Sequence, residues 1–402
     1  MARFGKKSNV QVRPAALPSR PALMFELLST DPGCKARRGR LTTPHGVIET
    51  PIFMPVGTQG SVKTLHPEDL HAMEAQIILG NTYHLWLRPG TEVIEKLGGL
   101  HAFTTWDGPM LTDSGGFQVW SLSKIRKITE AGVEFRSHLD GSKMMLSPEK
   151  SMEIQATFGS DIAMLFDECP PYPCERKYAE ESTDLTARWA KRCKDWIEKH
   201  KPTSGEGRQL HFGIVQGSVY PDLREKSARA LVDLDFDGYA IGGVSVGEPE
   251  EEMFAAIQNA EPFLPKDKPR YAMGLGTPTQ LLEMIGQGVD MFDCVHPTRC
   301  ARHGQAFTPD GPIHIKNKEF EFDASPLSDD AHPHVARFSK AFLRHSFRAG
   351  EIIAQRVLSF HNLDFYLKLM GNARTAISEG RFREFQAAFV ERYTARKSGP
   401  NP

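Results

Sequence analysis

Four polar residues, each closing an apolar run, carry the chemistry this chain can offer: Asp113, Asp167, Gln216 and Asp293. Asp113 lies in Leu111-Thr112-Asp113-Ser114-Gly115-Gly116, where two glycines let backbone approach a ligand. Asp293 ends Val289-Asp290-Met291-Phe292-Asp293, ahead of the basic stretch around Arg299. Two carboxylates facing one sugar are standard equipment for displacement at an anomeric carbon, one as nucleophile and one moving protons. Asp167 and Gln216 offer acceptors and a donor to a heterocycle edge, a bidentate pairing supplying roughly 1–3 kcal/mol of base discrimination. Taken singly, each Asp reads equally as a helix cap and Gln216 as a buried amide. Met273 and Phe117 suit the core, or the two faces of a flat ligand.

These tips need a scaffold that makes them converge. Apolar runs of strand length occur at 46–56, 76–82, 109–113, 161–167, 210–216, 238–244, 270–275 and 289–295, separated mostly by helix-like stretches. Pro67, Pro148, Pro221 and Pro278 mark helix starts, where the missing N–H costs nothing. Eight continuous apolar strands alternating with helices predict an α/β fold, a (β/α)8 TIM-type barrel with chemistry at the C-terminal strand ends. A doubly wound sheet is the alternative, weakened by the absence of GxGxxG after the first strand. The expected layout is a disordered basic arm over 1–23, a catalytic barrel over 24–316, an insertion over 317–336 and a basic helical subdomain over 337–397.

With 402 residues, 40% hydrophobic and 25% charged, the composition is that of a soluble globular chain. No apolar run has the length of a membrane span and no secretory signal opens the chain, so the expected compartment is cytoplasmic. The six cysteines have no framework spacing, and reduced thiols are expected. Net charge is only −1, yet 337–397 holds twelve Lys/Arg against five acids. That surplus reads either as a phosphate footprint or as a solvated helical surface.

The motifs Thr112-Asp113-Ser114-Gly115-Gly116-Phe117-Gln118-Val119, Phe166-Asp167-Glu168-Cys169, Gly213-Ile214-Val215-Gln216-Gly217 and Asp290-Met291-Phe292-Asp293-Cys294-Val295 are together long and specific. Through them the chain resembles the bacterial-type tRNA-guanine transglycosylases, from residue 25 to about 393. The resemblance implies exchange of the wobble guanine of GUN-anticodon tRNAs for 7-aminomethyl-7-deazaguanine, on the path to queuosine. It makes Asp293 the nucleophile, through a covalent RNA–enzyme intermediate, and Asp113 the proton acceptor and donor. Base binding falls to Asp113, Ser114, Gly115, Gly116, Phe117, Asp167, Gln216, Gly242, Gly243, Val244 and Met273. The RNA path falls to Gly274, Leu275, Gly276, Thr277, Pro278, Thr298, Arg299 and Arg302. Partners so implied are GUN tRNA, guanine and 7-deazaguanine bases, and a second copy of the chain in a homodimer.

The chain departs from that pattern in one respect. The family carries a structural zinc on Cys-x-Cys-x-x-Cys and a distant His, but the corresponding stretch 329–336 here has no cysteine. His361 is retained, with Asp330, His332 and His334 as substitute ligands in principle. The expectation is a metal-free subdomain and chemistry without a cofactor, with contacts replacing a zinc worth about 10 kcal/mol of binding free energy. Cys300, Ala301 and Val244 are milder departures. A barrel glycoside hydrolase is disfavoured by tips poor in aromatics, and a Schiff-base enzyme by the absence of a Lys at any tip. A non-catalytic tRNA-binding paralogue is disfavoured because both Asp113 and Asp293 are present.

Overall fold

The computed structural model describes residues 24–122 and 126–395; the arm expected over 1–23 lies outside them. At its centre is a parallel barrel built as expected. Its strands are β1 (Ile52–Met54, continued past Pro55 as Val56–Gly57), β2 (Ile78–Gly80), β3 (Met110–Thr112), β4 (Ile162–Met164), β5 (Leu210–Val215), β6 (Gly238–Ile241), β7 (Arg270–Ala272) and β8 (Met291–Asp293). The first half of β1 pairs with β8, Met54 opposite Asp293, and the second half with β2, Gly57 opposite Gly80. One broken strand thereby closes the ring.

Burial explains why the run pattern was readable. Every residue of β5, Leu-His-Phe-Gly-Ile-Val, is buried, as befits a parallel strand covered on both faces. Around the barrel stand α1 (Thr82–Leu87), α2 (Gly116–Leu122), α3 (Pro148–Phe158), α4 (Arg176–His200), α5 (Pro221–Val232), α6 (Glu250–Ala260), α7 (Pro278–Gly286) and α8 (His296–Arg302). Pro148, Pro221 and Pro278 open their helices as expected, as does Pro67 in a shorter one. Thr277 and Gln280 form a reciprocal cap on α7.

Three elements differ from the sequence reading. The apolar run 46–56 is divided: Gly46–Thr50 belongs to an antiparallel sheet with Phe25–Thr30 and Arg37–Thr43, and only from Ile52 does the chain enter the barrel. Arg37–Thr43 alternates buried and half-buried positions, with Arg and Thr obscuring its period. A second antiparallel sheet, Arg126–Thr129, Gly132–Arg136 and Lys143–Leu146, follows β3 and α2, and a hairpin, Gln305–Thr308 and Gly311–His314, follows α8.

The C-terminal helices α9 (Lys340–Arg348), α10 (Ile352–Ser378) and α11 (Phe382–Ala395) pack on this frame. Most residues of α10 are buried, and Tyr366 meets Phe53 of β1 with ring centroids 4.9 Å apart. Asn362 accepts from Phe307 N–H at 2.9 Å and donates to the carbonyls of Pro297 and Gln305 at 3.0 Å each. The basic surplus of this region is largely answered by acids. Lys340, Arg344, Arg356, Lys368, Arg381, Arg383 and Arg392 each pair with a carboxylate. Among the described residues no helix is long and apolar enough to cross a membrane.

At the N-terminal end of the barrel a buried ion pair joins the outer sheet to β8. Arg37 reaches both oxygens of Asp290, at 2.9 and 2.5 Å, and also donates to the carbonyls of Lys266 and Lys268. Asp290 in turn accepts the N–H of Arg270 at 2.7 Å. Removing one partner strands the other charge in the interior, so Asp290→Asn and Arg37→Met should each destabilise the fold by about 3–5 kcal/mol in urea unfolding. A loss below about 1 kcal/mol, the level of an exposed pair, would contradict this account.

Candidate active site

The strand tips converge on one cavity of about 380 Å³, lined among others by Asp113, Ser114, Phe117, Asp167, Gln216, Gly242, Gly243, Val244, Met273, Gly274, Asp293 and Arg299. Asp113 is locked from the neighbouring tip. Its Oδ1 accepts the N–H groups of Thr82 (2.9 Å) and Gly115 (3.1 Å), its Oδ2 accepts from the Asn81 amide, and its carbonyl accepts from Thr82 Oγ1 at 2.6 Å. Asn81 does this while its own Oδ1 caps α1 through the His84 N–H.

Asp167 is bound by Ser114 Oγ at 3.0 Å on one oxygen and Gln216 Nε2 at 2.7 Å on the other. Gln216 Oε1 is buried without a partner among the described residues. It faces Gly243, where a Cβ would stand 2.5 Å from that oxygen and where φ is +60°; a Cβ on Gly242 would stand 2.8 Å from Gln216 Nε2. Only glycines fit these positions. Asp293 carries two donors on Oδ1, the Tyr271 hydroxyl at 2.5 Å and the Gly274 N–H at 2.8 Å.

Desolvation dominates the electrostatics. Burial pushes Asp113 up to about 7, helped by the charges of Asp293 and Asp167 and opposed by the Thr82 and Gly115 amides. Burial also pushes Asp167 up to about 6, against the hydrogen bonds from Gln216 and Ser114. Asp293 is raised by burial and pulled back by Tyr271 and Gly274. Tyr271 itself is driven above its ordinary range, so its hydroxyl stays a donor.

Most of the expected base-contacting residues line the cavity. Gly115 and Gly116 shape it from behind: Gly115 has φ +80°, and a Cβ on Gly116 would stand 2.8 Å from the Asp167 carbonyl. Of the residues expected along an RNA path, Gly274 and Arg299 are exposed and Arg302 is half-buried, donating to Thr298 O at 3.0 Å. Leu275, Gly276, Pro278 and Thr298 are buried, and Thr277 caps α7. Sequence reasoning passed over Asn81, Thr82, Tyr271 and Arg224. The first two sit at the tip of the run 76–82, and that position was the available signal.

The substitute zinc ligands are not brought together. His361 Nε2 binds the Phe307 carbonyl at 2.7 Å, His332 Nδ1 accepts the N–H of His334, and Asp330 and His334 are exposed. Among the described residues the group with metal-like proximity is His45, His101 and Asp161, at the opposite end of the barrel. There the two imidazoles stack at 3.6 Å, 14° from parallel, and approach the two oxygens of Asp161 at 2.9 and 3.2 Å. Parallel rings aim parallel N–H groups at one carboxylate, whereas ligands of a single ion must converge. That carboxylate also accepts the N–H groups of His45 and Met110, which fills its acceptor sites.

Residues 31–395 match the family described as queuine tRNA-ribosyltransferase. The queuine tRNA-ribosyltransferases of Staphylococcus aureus strains N315 and MW2 are each 53% identical to this chain over 381 residues, covering 94% of it and 99% of the relative. The chain belongs to the queuine tRNA-ribosyltransferase family. Membership fits a cavity large enough for a base, in which acids, an amide and glycines stand beside Phe117, Tyr271 and Met273.

Burial of Asp113 has a pH signature. A carboxyl whose folded pKa is raised keeps its proton in the native state after the unfolded chain has lost its own. Its contribution to stability is therefore full below about pH 4 and lost as pH climbs to about 7. Measured by urea unfolding from pH 5 to 8, Asp113→Asn should gain stability relative to the wild type as pH rises. A difference that stays flat, or that moves the other way, would contradict a desolvated Asp113.

Proposed function

We propose that this chain is a tRNA-guanine transglycosylase of queuosine biosynthesis, which exchanges the wobble guanine of GUN-anticodon tRNAs for 7-aminomethyl-7-deazaguanine. The observation that carries the reading is the placement of Asp113 and Asp293 on one base-sized cavity whose remaining wall is Asp167, Gln216 and Gly243. An anticodon loop is already unpaired, so extruding its wobble nucleotide into such a cavity costs little.

Asp293 attacks C1′ of the ribose. The C1′–N9 bond breaks, its electron pair leaves on guanine, and an ester bond forms between the sugar and the carboxylate. Tyr271 and Gly274 occupy Oδ1, which leaves Oδ2 as the attacking oxygen and fixes its direction. Asp113, held by three N–H groups, hands a proton to the departing base and takes the ring N–H proton of the incoming one. The deazaguanine nitrogen then attacks C1′ from the face guanine vacated, the ester bond breaks and its electron pair returns to the Asp293 carboxylate, so two inversions retain configuration.

Asp167 accepts the N–H groups of the guanine edge, Gln216 and the Gly243 backbone meet its carbonyl side, and Phe117 and Met273 cover the ring faces. Arg299, exposed at the rim, faces RNA phosphate. No redox group, metal or nucleotide triphosphate enters these steps. The reading extends to a cytoplasmic enzyme working as a homodimer, one subunit handling RNA at a time.

Two experiments test it. Wild-type protein mixed with unmodified GUN tRNA should incorporate labelled guanine and give a covalent RNA–protein band in a denaturing gel. Asp293→Asn should show neither while still shifting tRNA in a native gel; label incorporated by that variant would remove Asp293 from the nucleophile's role. Incubation with a strong zinc chelator should leave exchange and melting temperature unchanged, because contacts such as Lys340 with Asp323 and Ser325 tie α9 to the insertion over 317–336 without a metal. Co-purification of stoichiometric zinc, with melting lowered on its removal, would overturn the metal-free reading.

A further inference from the structure

Arg224 takes no part in the displacement outlined above, yet it is wholly buried in α5, directly behind the base cavity. Every hydrogen bond it makes among the described residues goes to a main-chain carbonyl. Nε donates to Ser218 O at 2.7 Å, one terminal nitrogen to Val215 O (3.1 Å) and Gly242 O (2.6 Å), and the other to Gly243 O (3.1 Å). Val215 and Ser218 flank Gln216 on the β5 tip, while Gly242 and Gly243 continue from β6. One cation therefore ties together the two tips that present the amide and the glycines to the base.

A trans peptide places its C=O and the following N–H on opposite sides. With the Gly242 and Gly243 carbonyls fixed on Arg224, the N–H groups of Gly243 and Val244 point away from the guanidinium. The Gly243 N–H faces the Cys169 thiol, itself on the cavity wall. A cation on a carbonyl oxygen polarises the peptide and makes its N–H a stronger donor. An apolar side chain of similar volume would be easier to bury than a guanidinium that hydrogen-bonds no carboxylate among the described residues and feels Glu248 only at longer range, so the charge calls for an electrostatic account. Burial lowers Arg224 only to about 10, which leaves it cationic at neutral pH.

Resting on the exchange reaction proposed above, we propose that Arg224 is a positioning residue for both half-reactions. It aims the Gly243 and Val244 amides at the carbonyl edge of the purine and polarises them, so that they stabilise the departing and the incoming base as anions. When the C1′–N9 bond breaks, the electron pair passes into the ring system and spreads to that carbonyl oxygen, where a fixed donor acts most strongly in the transition state.

The test compares guanine exchange by wild type, Arg224→Lys and Arg224→Gln, each with melting temperature, kcat and separate KM values for guanine and tRNA. The expected result for Arg224→Gln is a fall in kcat of about a hundredfold, the scale of losing a preorganised donor to developing charge. Arg224→Lys keeps the charge but not the fork and should lose about tenfold. In both, KM for tRNA should stay within about twofold of wild type, because the RNA path does not touch Arg224. A folded Arg224→Gln with wild-type kcat, or a defect confined to KM for tRNA, overturns the proposal. Failure of both variants to fold assigns Arg224 to the scaffold alone and overturns it as well. If the wild type itself exchanges no guanine, the parent reading falls first and takes this inference with it.

Discussion

The structure is organised around the cost of keeping several carboxylates away from water at one end of a barrel. An isolated buried carboxylate is strongly unfavourable, and each here is met by donors from a neighbouring strand tip. Asn81 and Thr82 of the β2 tip hold Asp113, Ser114 of the β3 tip and Gln216 of the β5 tip hold Asp167, and Tyr271 and Gly274 about β7 hold Asp293. No tip satisfies its own acid unaided. The acids are reactive because they are desolvated, and they are tolerated because adjacent strands meet in register.

That arrangement makes the ring's closure a chemical matter as well as a structural one. Met54 lies opposite Asp293 across the β1–β8 pair, and Tyr366 of α10 reaches the carbonyl of Gly276 beyond β7. The C-terminal helices are thus wedged against the loops that surround Asp293. Their basic residues, which in sequence resemble a phosphate-binding face, are mostly engaged with acids of the barrel, of the insertion and of the helices themselves. Charge counting along a segment cannot see the acids that folding brings to it.

The barrel was legible because parallel strands buried on both faces read as unbroken apolar runs bounded by Pro and Gly, as in Leu210–Val215. Asp113, Asp167, Gln216 and Asp293 were legible because each interrupts such a run at its end. The antiparallel additions were not. In Arg37–Thr43 the period of two is carried by Arg, Gly, Leu and Thr, and Arg37 is buried because of Asp290, far off in sequence. Tyr271 and Arg224 were missed for a related reason. Each acts through a partner supplied by another strand, helix or loop, and a side chain that works by holding its neighbour leaves no local signature. The division of the run 46–56 has the same origin, since nothing in its hydrophobicity marks where an antiparallel pairing ends and a parallel one begins.

β8 is both the strand that completes the ring and the strand that delivers Asp293. A nascent chain holds the first half of β1 unpaired while β2 to β7 are made, because its partner β8 emerges last of the barrel strands. Until then the barrel is an open sheet with two unsatisfied edges, and its proposed nucleophile is missing. On the proposed mechanism, truncated or half-made copies are therefore unable to form an ester with RNA, and that ability arrives in the same event that seals the fold. Assembly acts as a safety catch on a reactive carboxylate.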